Sequence, residues 1–511
     1  MRAVILVSAV GLLVAVSLAQ AVRTPIPEGL AWAQWGVDAR RSHFQAQIGG
    51  ITRPRIRWVA LGGAIEEPML FGGTLAVPQI PSPATFPPRY VRYTFFAPAN
   101  GRRVGAFGPF WGQAATPTTI NAAVYVATDT NLLVGVLYNW PAYLFAGGQY
   151  DSFLYAPNPG PVLDPAFLGA DHSEIIYVRP AYHANLGVYT DGAVGYAFFG
   201  DNFGGITAIG VVWVVTISAA ALAVGEIRVL ASEVFVLDDR LGFGFMPGAV
   251  YGYSATLADG LSTRLLLTDH AGTLLAYNPT LPSRAQFPPV WVTNLSLLSQ
   301  GDRVDPNEPT SPLDPIPSDA IDRPIVINRD GTRAIVCASN FGRLYAIDPN
   351  SATPVPIWRL KLHNTQRIPI MGGPSIGPDG AGNETVYVVG RTSATLCSLY
   401  AIDLANGTIK WVFPLEGISR CTPTIDANGN LYIGNERGTL FCISPDGTLR
   451  WRLSLGASIR VSPILLPIDL NQDNTPDPLL IVAASNRLLY AIEETPTIGD
   501  ISPRVPPGRG E

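Results

Sequence analysis

The stretch Thr422-Pro423-Thr424-Ile425-Asp426-Ala427-Asn428-Gly429-Asn430-Leu431-Tyr432-Ile433-Gly434 opens a pattern of short apolar runs divided by turns. After Arg437-Gly438 come Leu440-Phe441-Cys442-Ile443, then Pro445-Asp446-Gly447, then Arg450-Trp451-Arg452-Leu453. Asn-Gly and Asp-Gly between apolar runs are hairpin chemistry, because glycine accepts the positive φ that tight turns require. Four antiparallel strands in about 40 residues make one blade of a β-propeller.

The unit recurs along the chain. Its mark is Leu-x-Ala-apolar-Asp/Asn, followed by a turn and a Trp. Leu344-Tyr345-Ala346-Ile347-Asp348 leads to Trp358, Leu399-Tyr400-Ala401-Ile402-Asp403 to Trp411, and Leu440 to Trp451. Leu274-Leu275-Ala276-Tyr277-Asn278 leads to Trp291, Ile206-Thr207-Ala208-Ile209 to Trp213, and Leu489-Tyr490-Ala491-Ile492-Glu493 ends the series. Leu133-Val134-Gly135-Val136 and Tyr93-Thr94-Phe95-Phe96-Ala97 are degenerate copies, with Gly105 where the first unit should carry its Trp. The last unit lacks its Trp strand, and Arg57-Trp58-Val59-Ala60-Leu61 near the start has no unit before it. The expected fold is therefore all-β: an eight-bladed β-propeller of four-stranded antiparallel blades, closed by an N-terminal strand.

Composition agrees. Charged residues make up only 14%, against roughly 25% in an average soluble protein, while 51 glycines and 46 prolines would break any helical bundle. The 47% hydrophobic content excludes a largely disordered chain. A net charge of −5 removes the electrostatic basis for nucleic-acid binding.

Residues 1–21 have the pattern of a secretory signal: Arg2, an apolar run from Val4 to Leu18, then Ala19-Gln20-Ala21. A membrane anchor is the competing interpretation, and cleavage is favoured by the small-residue site and the following Pro-rich segment. The expected organisation is a signal at 1–21, a lead segment at 22–55, the propeller at 56–494 and a Pro/Gly-rich tail at 495–511. The uncharged run Gly205–Gly225 is expected to form buried strands rather than a membrane span.

At these repeats the chain resembles the PQQ-type β-propeller family, which includes quinoprotein alcohol dehydrogenases and a propeller lipoprotein that assists outer-membrane protein assembly. The segment Trp32-Ala33-Gln34-Trp35-Gly36-Val37-Asp38 also resembles the family's entry segment. The resemblance is strong from about Leu265 to Glu493. It implies that Ala and Trp dock neighbouring blades. In the family's enzymes it further implies an adjacent Cys-Cys disulfide against the quinone, a calcium ion and an Asp base. This chain has no Cys-Cys pair: Cys337 and Cys442 fall on core positions, and Cys421 and Cys442 lie on strands too far apart to bond. PQQ is thus not expected, no cofactor is expected to be required, and no catalytic residue can be carried over.

Two features stand above the turns. Asp469, Asn471, Asp473 and Asp477 present oxygen side chains at spacings that suit a calcium loop. Asn474 and Leu480 depart from the EF-hand pattern, and an acidic solvated turn is the alternative. Arg420 and Arg460 each sit three residues before a first-strand proline, Pro423 and Pro463, so both should reach one mouth of the central channel together with Arg367. They could hold an anion bidentately, or pair with Glu416 or Glu436. Five scattered histidines show no zinc spacing. These observations favour an exported, non-enzymatic scaffold for a protein or cell-envelope ligand, with no stable transmembrane anchor. A degenerate PQQ-dependent dehydrogenase and a carbohydrate-binding or carbohydrate-cleaving propeller are the alternatives.

Overall fold

The computed structural model describes residues 36, 37, 40, 42–62, 64, 67–71, 74–79, 90–111, 298, 325–338, 341–363, 366, 368–471 and 473–496; between 118 and 294 it describes the strands and residue 290. The expected signal segment, Arg367, residues 299–323 and the tail beyond 496 lie outside them.

The chain is all-β, and its described strands form eight sheets. Sheet one holds Met69–Phe71, Thr74–Gln79, Tyr90–Phe96 and Arg103–Trp111 in that order. Sheets two, three and four cover 118–155, 187–236 and 265–294, sheet four with three described strands. Sheet five runs through Val326–Ile327, Ala334–Ala338, Arg343–Ile347 and Pro356–Lys361, and sheet six through Ile370–Pro378, Glu384–Arg391, Cys397–Asp403 and Ile409–Pro414. Sheet seven contains Thr424–Asp426, Leu431–Gly434, Thr439–Ile443 and Leu449–Ser454. Sheet eight takes Ile464–Ile468, Asp477–Ala483 and Leu488–Glu494, and its fourth strand is Pro54–Leu61 from the other end of the chain. That strand is antiparallel to Leu488–Glu494, with Trp58 opposite Ala491 and Ala60 opposite Leu489.

Strand position explains residue choice. Second and third strands are covered on both faces, so Ala334–Ala338 and Leu431–Gly434 are buried at every residue and read as unbroken apolar runs. Fourth strands have one wet face and alternate: Leu449-Arg450-Trp451-Arg452-Leu453-Ser454 exposes its charged positions and turns Trp451 and Leu453 inward.

The repeat's Ala and Trp stand directly across from each other in four sheets, as Ala276–Trp291, Ala346–Trp358, Ala401–Trp411 and Ala491–Trp58, and in sheet seven Cys442 takes the alanine's place opposite Trp451. A small residue opposite the indole leaves room for the ring to lie over its own sheet and reach the next. Trp358 donates its indole N–H to Leu404 O at 2.7 Å and Trp411 to Pro445 O at 2.9 Å, each in the following sheet's third turn. Gly407 and Gly447 hold positive φ there, and a Cβ on either would strike the indole. Trp58 repeats this contact on sheet one, donating to Pro98 O at 2.8 Å beside Gly101. In sheet one Phe95 faces Gly105, so the degenerate unit lacks the docking ring at this position.

One expectation needs correction. Trp213 was expected on an outer strand, but it lies within Val211–Ser218, the third strand of sheet three, with Val229–Val236 outside it. A strand of eight residues, six of them β-branched, extends across the position where a turn was expected. Ile206–Ile209 lies outside the described residues. Val211–Ser218 within the uncharged run is a strand, and no described helix is long and apolar enough to cross a membrane.

Candidate functional site

First strands enter their sheets from one end of the fold, and the links that precede them meet the turns between second and third strands. Asn435, fully buried in such a turn, organises the meeting. Its side-chain oxygen accepts from Arg437 N (3.0 Å) and Thr439 N (2.9 Å), and its Nδ2 donates to Leu415 O (2.8 Å). Its carbonyl accepts from Ile459 N (3.0 Å), and Glu436 N donates to Ile418 O (2.7 Å). The turn is thereby clamped between the links into sheets seven and eight, with Glu436 at its tip.

Arg420 and Arg460 converge on that tip. Arg420 Nε lies 3.0 Å and Arg460 Nε 3.4 Å from the same Glu436 Oε1. Their side chains are 52% and 64% exposed, while Glu436 is 25% exposed. One carboxylate between two guanidiniums leaves net positive charge, and the exposed Arg437 on the same turn adds to it. Of the two acids expected as partners, Glu436 takes both arginines, while Glu416 pairs with Arg452 at 3.3 Å. Arg367 lies outside the described residues.

Deeper in, the first strands are joined side to side. Gly373 N donates to Thr422 Oγ1 (3.2 Å), Thr422 N donates to Ser462 Oγ (3.0 Å), and Thr424 Oγ1 donates to Pro463 O. Glu67 precedes Pro68 as Thr422 precedes Pro423 and Ser462 precedes Pro463, and it is 2% exposed. It accepts from Gly36 N at 2.9 Å, and His43 Nε2 lies 3.8 Å from its other oxygen. Sequence reasoning did not single out Glu67 or His43. The Glu-Pro dipeptide in register with the later Thr-Pro and Ser-Pro was the available signal; nothing local marked His43.

The loop 469–477 joins the first and second strands of sheet eight, so it lies at the opposite end from the arginines. Its carboxylates serve the loop's own backbone. Asp469 accepts from Asp473 N (3.2 Å) and Asn474 N (3.0 Å), Asp473 from Thr475 N (2.8 Å), and Asp477 from Leu470 N (2.9 Å). Asn471 Nδ2 donates to Asp473 Oδ2 at 3.0 Å. Asn474 takes the positive φ that glycine holds in an EF-hand. Partial burial raises the Asp477 pKa, opposed by the Leu470 N–H and reinforced by Asp473 and Asp469. Among the described residues, no three His, Cys, Asp or Glu side chains group as metal ligands.

The four cysteines are buried, and none forms a disulfide. Burial pushes the Cys421 and Cys442 thiols up to about 12 and raises Cys397 as well. The Cys421 thiol donates to Val461 O at 3.4 Å, a core contact. Residues 42–45 of the chain lie along the inner side of the first strands. With no adjacent cysteine pair and that inner side taken by its own backbone, the described residues do not fit the quinone arrangement of the family's enzymes.

Residues 324–479 match the family model of the outer membrane protein assembly factor BamB. This segment carries PQQ-type propeller repeats. No curated protein matches the chain in sequence. Among solved structures, the quinohemoprotein alcohol dehydrogenase from Comamonas testosteroni superposes with a TM-score of 0.58 at 11% identity, covering 94% of this chain and 83% of that one. A europium-containing methanol dehydrogenase gives 0.54 at 12% identity, covering 93% and 100%. Sqt1 from Saccharomyces cerevisiae gives 0.53 at 10% identity, covering 88% and 100%. At such identities the likeness concerns the fold alone.

Proposed function

We propose that the chain is an exported, non-enzymatic β-propeller of eight blades, closed by Pro54–Leu61, that binds a protein or cell-envelope ligand through its arginine end. The observation that carries the reading is the convergence of Arg420 and Arg460, from links into successive sheets, on the single carboxylate of Glu436. Such a cluster is rigid at its base, exposed at its tip and positively charged, which suits an incoming carboxylate or other anionic group. The match to an outer membrane assembly factor supports a protein partner and a place outside the cytoplasm. Eight described sheets, with the Trp58 indole donating from sheet eight to sheet one, support the blade count and closure.

The test is an affinity pulldown from cell-envelope extract with the exported protein as bait. Arg420→Ala with Arg460→Ala should weaken capture of the retained partner at least tenfold, while Asp473→Ala should leave it unchanged. The reverse pattern places binding at the other end. An absorbance scan of the purified protein separates this reading from the dehydrogenase alternative, since a bound quinone chromophore would overturn the non-enzymatic assignment.

A further inference from the structure

The first strand of each sheet pairs with its second strand on one edge and turns its other edge to the axis. Backbone donors on that inner edge need partners. In three successive sheets they find one short segment. Ile327 N donates to Arg40 O (3.0 Å), Ile376 N to Ser42 O (3.0 Å) and Ile425 N to His43 O (2.9 Å). Phe44–Gln45 then runs parallel to Ile425–Asp426, the one parallel pairing among the described strands. In sheet eight, Leu465 O accepts from Gln45 Nε2 at 3.4 Å.

The segment leaves between sheets seven and eight, equally well held. Ala427 N donates to Ile48 O (2.9 Å), Ile51 N donates to Tyr432 Oη (2.8 Å), and the Trp451 indole donates to Ile51 O (2.6 Å). Ser42, His43, Gln45, Ile48 and Ile51 are all buried. A Cβ on Gly50 would come within 2.2 Å of Asp426 Oδ2, so the groove fits bare backbone at that point. Ala46 and Gln47, between the two held stretches, are exposed. Recognition thus combines extended main chain, taken up the way a sheet edge accepts an added strand, with the buried side chains of Ser42, His43 and Gln45.

We propose that the inner edges of sheets five to eight form a binding groove for an extended peptide, and that residues 40–51 are its resident ligand, held in cis. The groove is distinct from the arginine cluster, so the two assignments stand or fall separately.

A protease recognition sequence inserted in the full chain between Ala46 and Gln47 tests it. After cutting, the amino-terminal fragment should co-elute with the rest on gel filtration and separate in denaturant. On refolding, a fluorescent peptide of residues 36–46 should replace it, whereas a scrambled peptide should not. Release of the fragment on cutting with an unchanged melting temperature, or equal uptake of the scrambled peptide, would overturn the proposal. Hydrogen exchange on the unaltered protein gives a second readout should the insertion hinder folding. The amides of Ile327, Ile376, Ile425 and Ala427 should open together in one event, and opening of each with its own sheet instead would count against a shared ligand.

Discussion

Trp358 shows how one side chain does two jobs: its ring covers Ala346 while its N–H caps Leu404 O in the next sheet. Trp358→Phe keeps an aromatic ring but drops the donor, and should cost about 1 kcal/mol. Trp358→Ala removes the packing as well and should cost about 3–5 kcal/mol; urea midpoints distinguish the two. Cys442 occupies the place that alanine takes in neighbouring sheets, so Cys442→Ala should cost less than about 1.5 kcal/mol. The thiolate is the reactive form of cysteine. Burial disfavours it for Cys421 and Cys442, so neither should react with Ellman's reagent at pH 8 until denaturant is added. Rapid native labelling of either would mean that their sheet opens locally.

Among the elements, the first turns use aspartate in opposite ways. In sheet six burial alone would raise Asp379, yet the Lys410 ammonium at 2.8 Å and the N–H groups of Asn383 and Ala381 outweigh it and hold the pKa at about 2. Its unfolded value is near 3.9, so the folded state binds fewer protons between these limits. The stabilisation is present above about pH 4 and lost as pH falls towards 2. Asp379→Asn should flatten that acid limb when urea midpoints are followed from pH 5 to 2. In sheet seven the fully buried Asp426 is raised, burial outweighing the bonds from Asn430, Tyr432 and Asn428, so its ionisation weakens stability as pH rises through its folded value. The loop 469–477 already closes on its own N–H groups. Calcium is therefore expected to bind weakly, and melting curves with calcium and with chelator should differ by only the small shift that mass action gives. Unfolding by chelator alone would make the ion structural.

For the whole molecule, joining the two ends of the chain in one sheet hides an edge that would otherwise template association. Removing the chain before Gly62 uncovers Leu488–Glu494 and leaves Pro98 O without the Trp58 donor. Such a truncated protein should self-associate with rising concentration in light scattering, while the complete chain should not. A truncated chain that stays monomeric would show that the strand contributes packing without protecting an edge.

The repeat was legible in the residues because strand, turn and docking ring are local requirements. Glycine appears where φ is positive, as at Gly407 and Gly447, and Trp appears where a ring must reach the next sheet. Even the displaced strand could be read from Arg57-Trp58, since one unit lacked what another segment carried. Trp213 was misassigned because a β-branched run continues a strand through the position where a turn was expected. Other decisions were tertiary. Glu436 as the common partner of Arg420 and Arg460, and His43 beside Glu67, unite residues far apart in sequence. Most of all, nothing in Ser42-His43-Phe44-Gln45 marks it as the partner of three inner strands. Its contacts run through the carbonyls of Ser42 and His43 and the side-chain amide of Gln45, and only the tertiary fold determines which of these meet a partner.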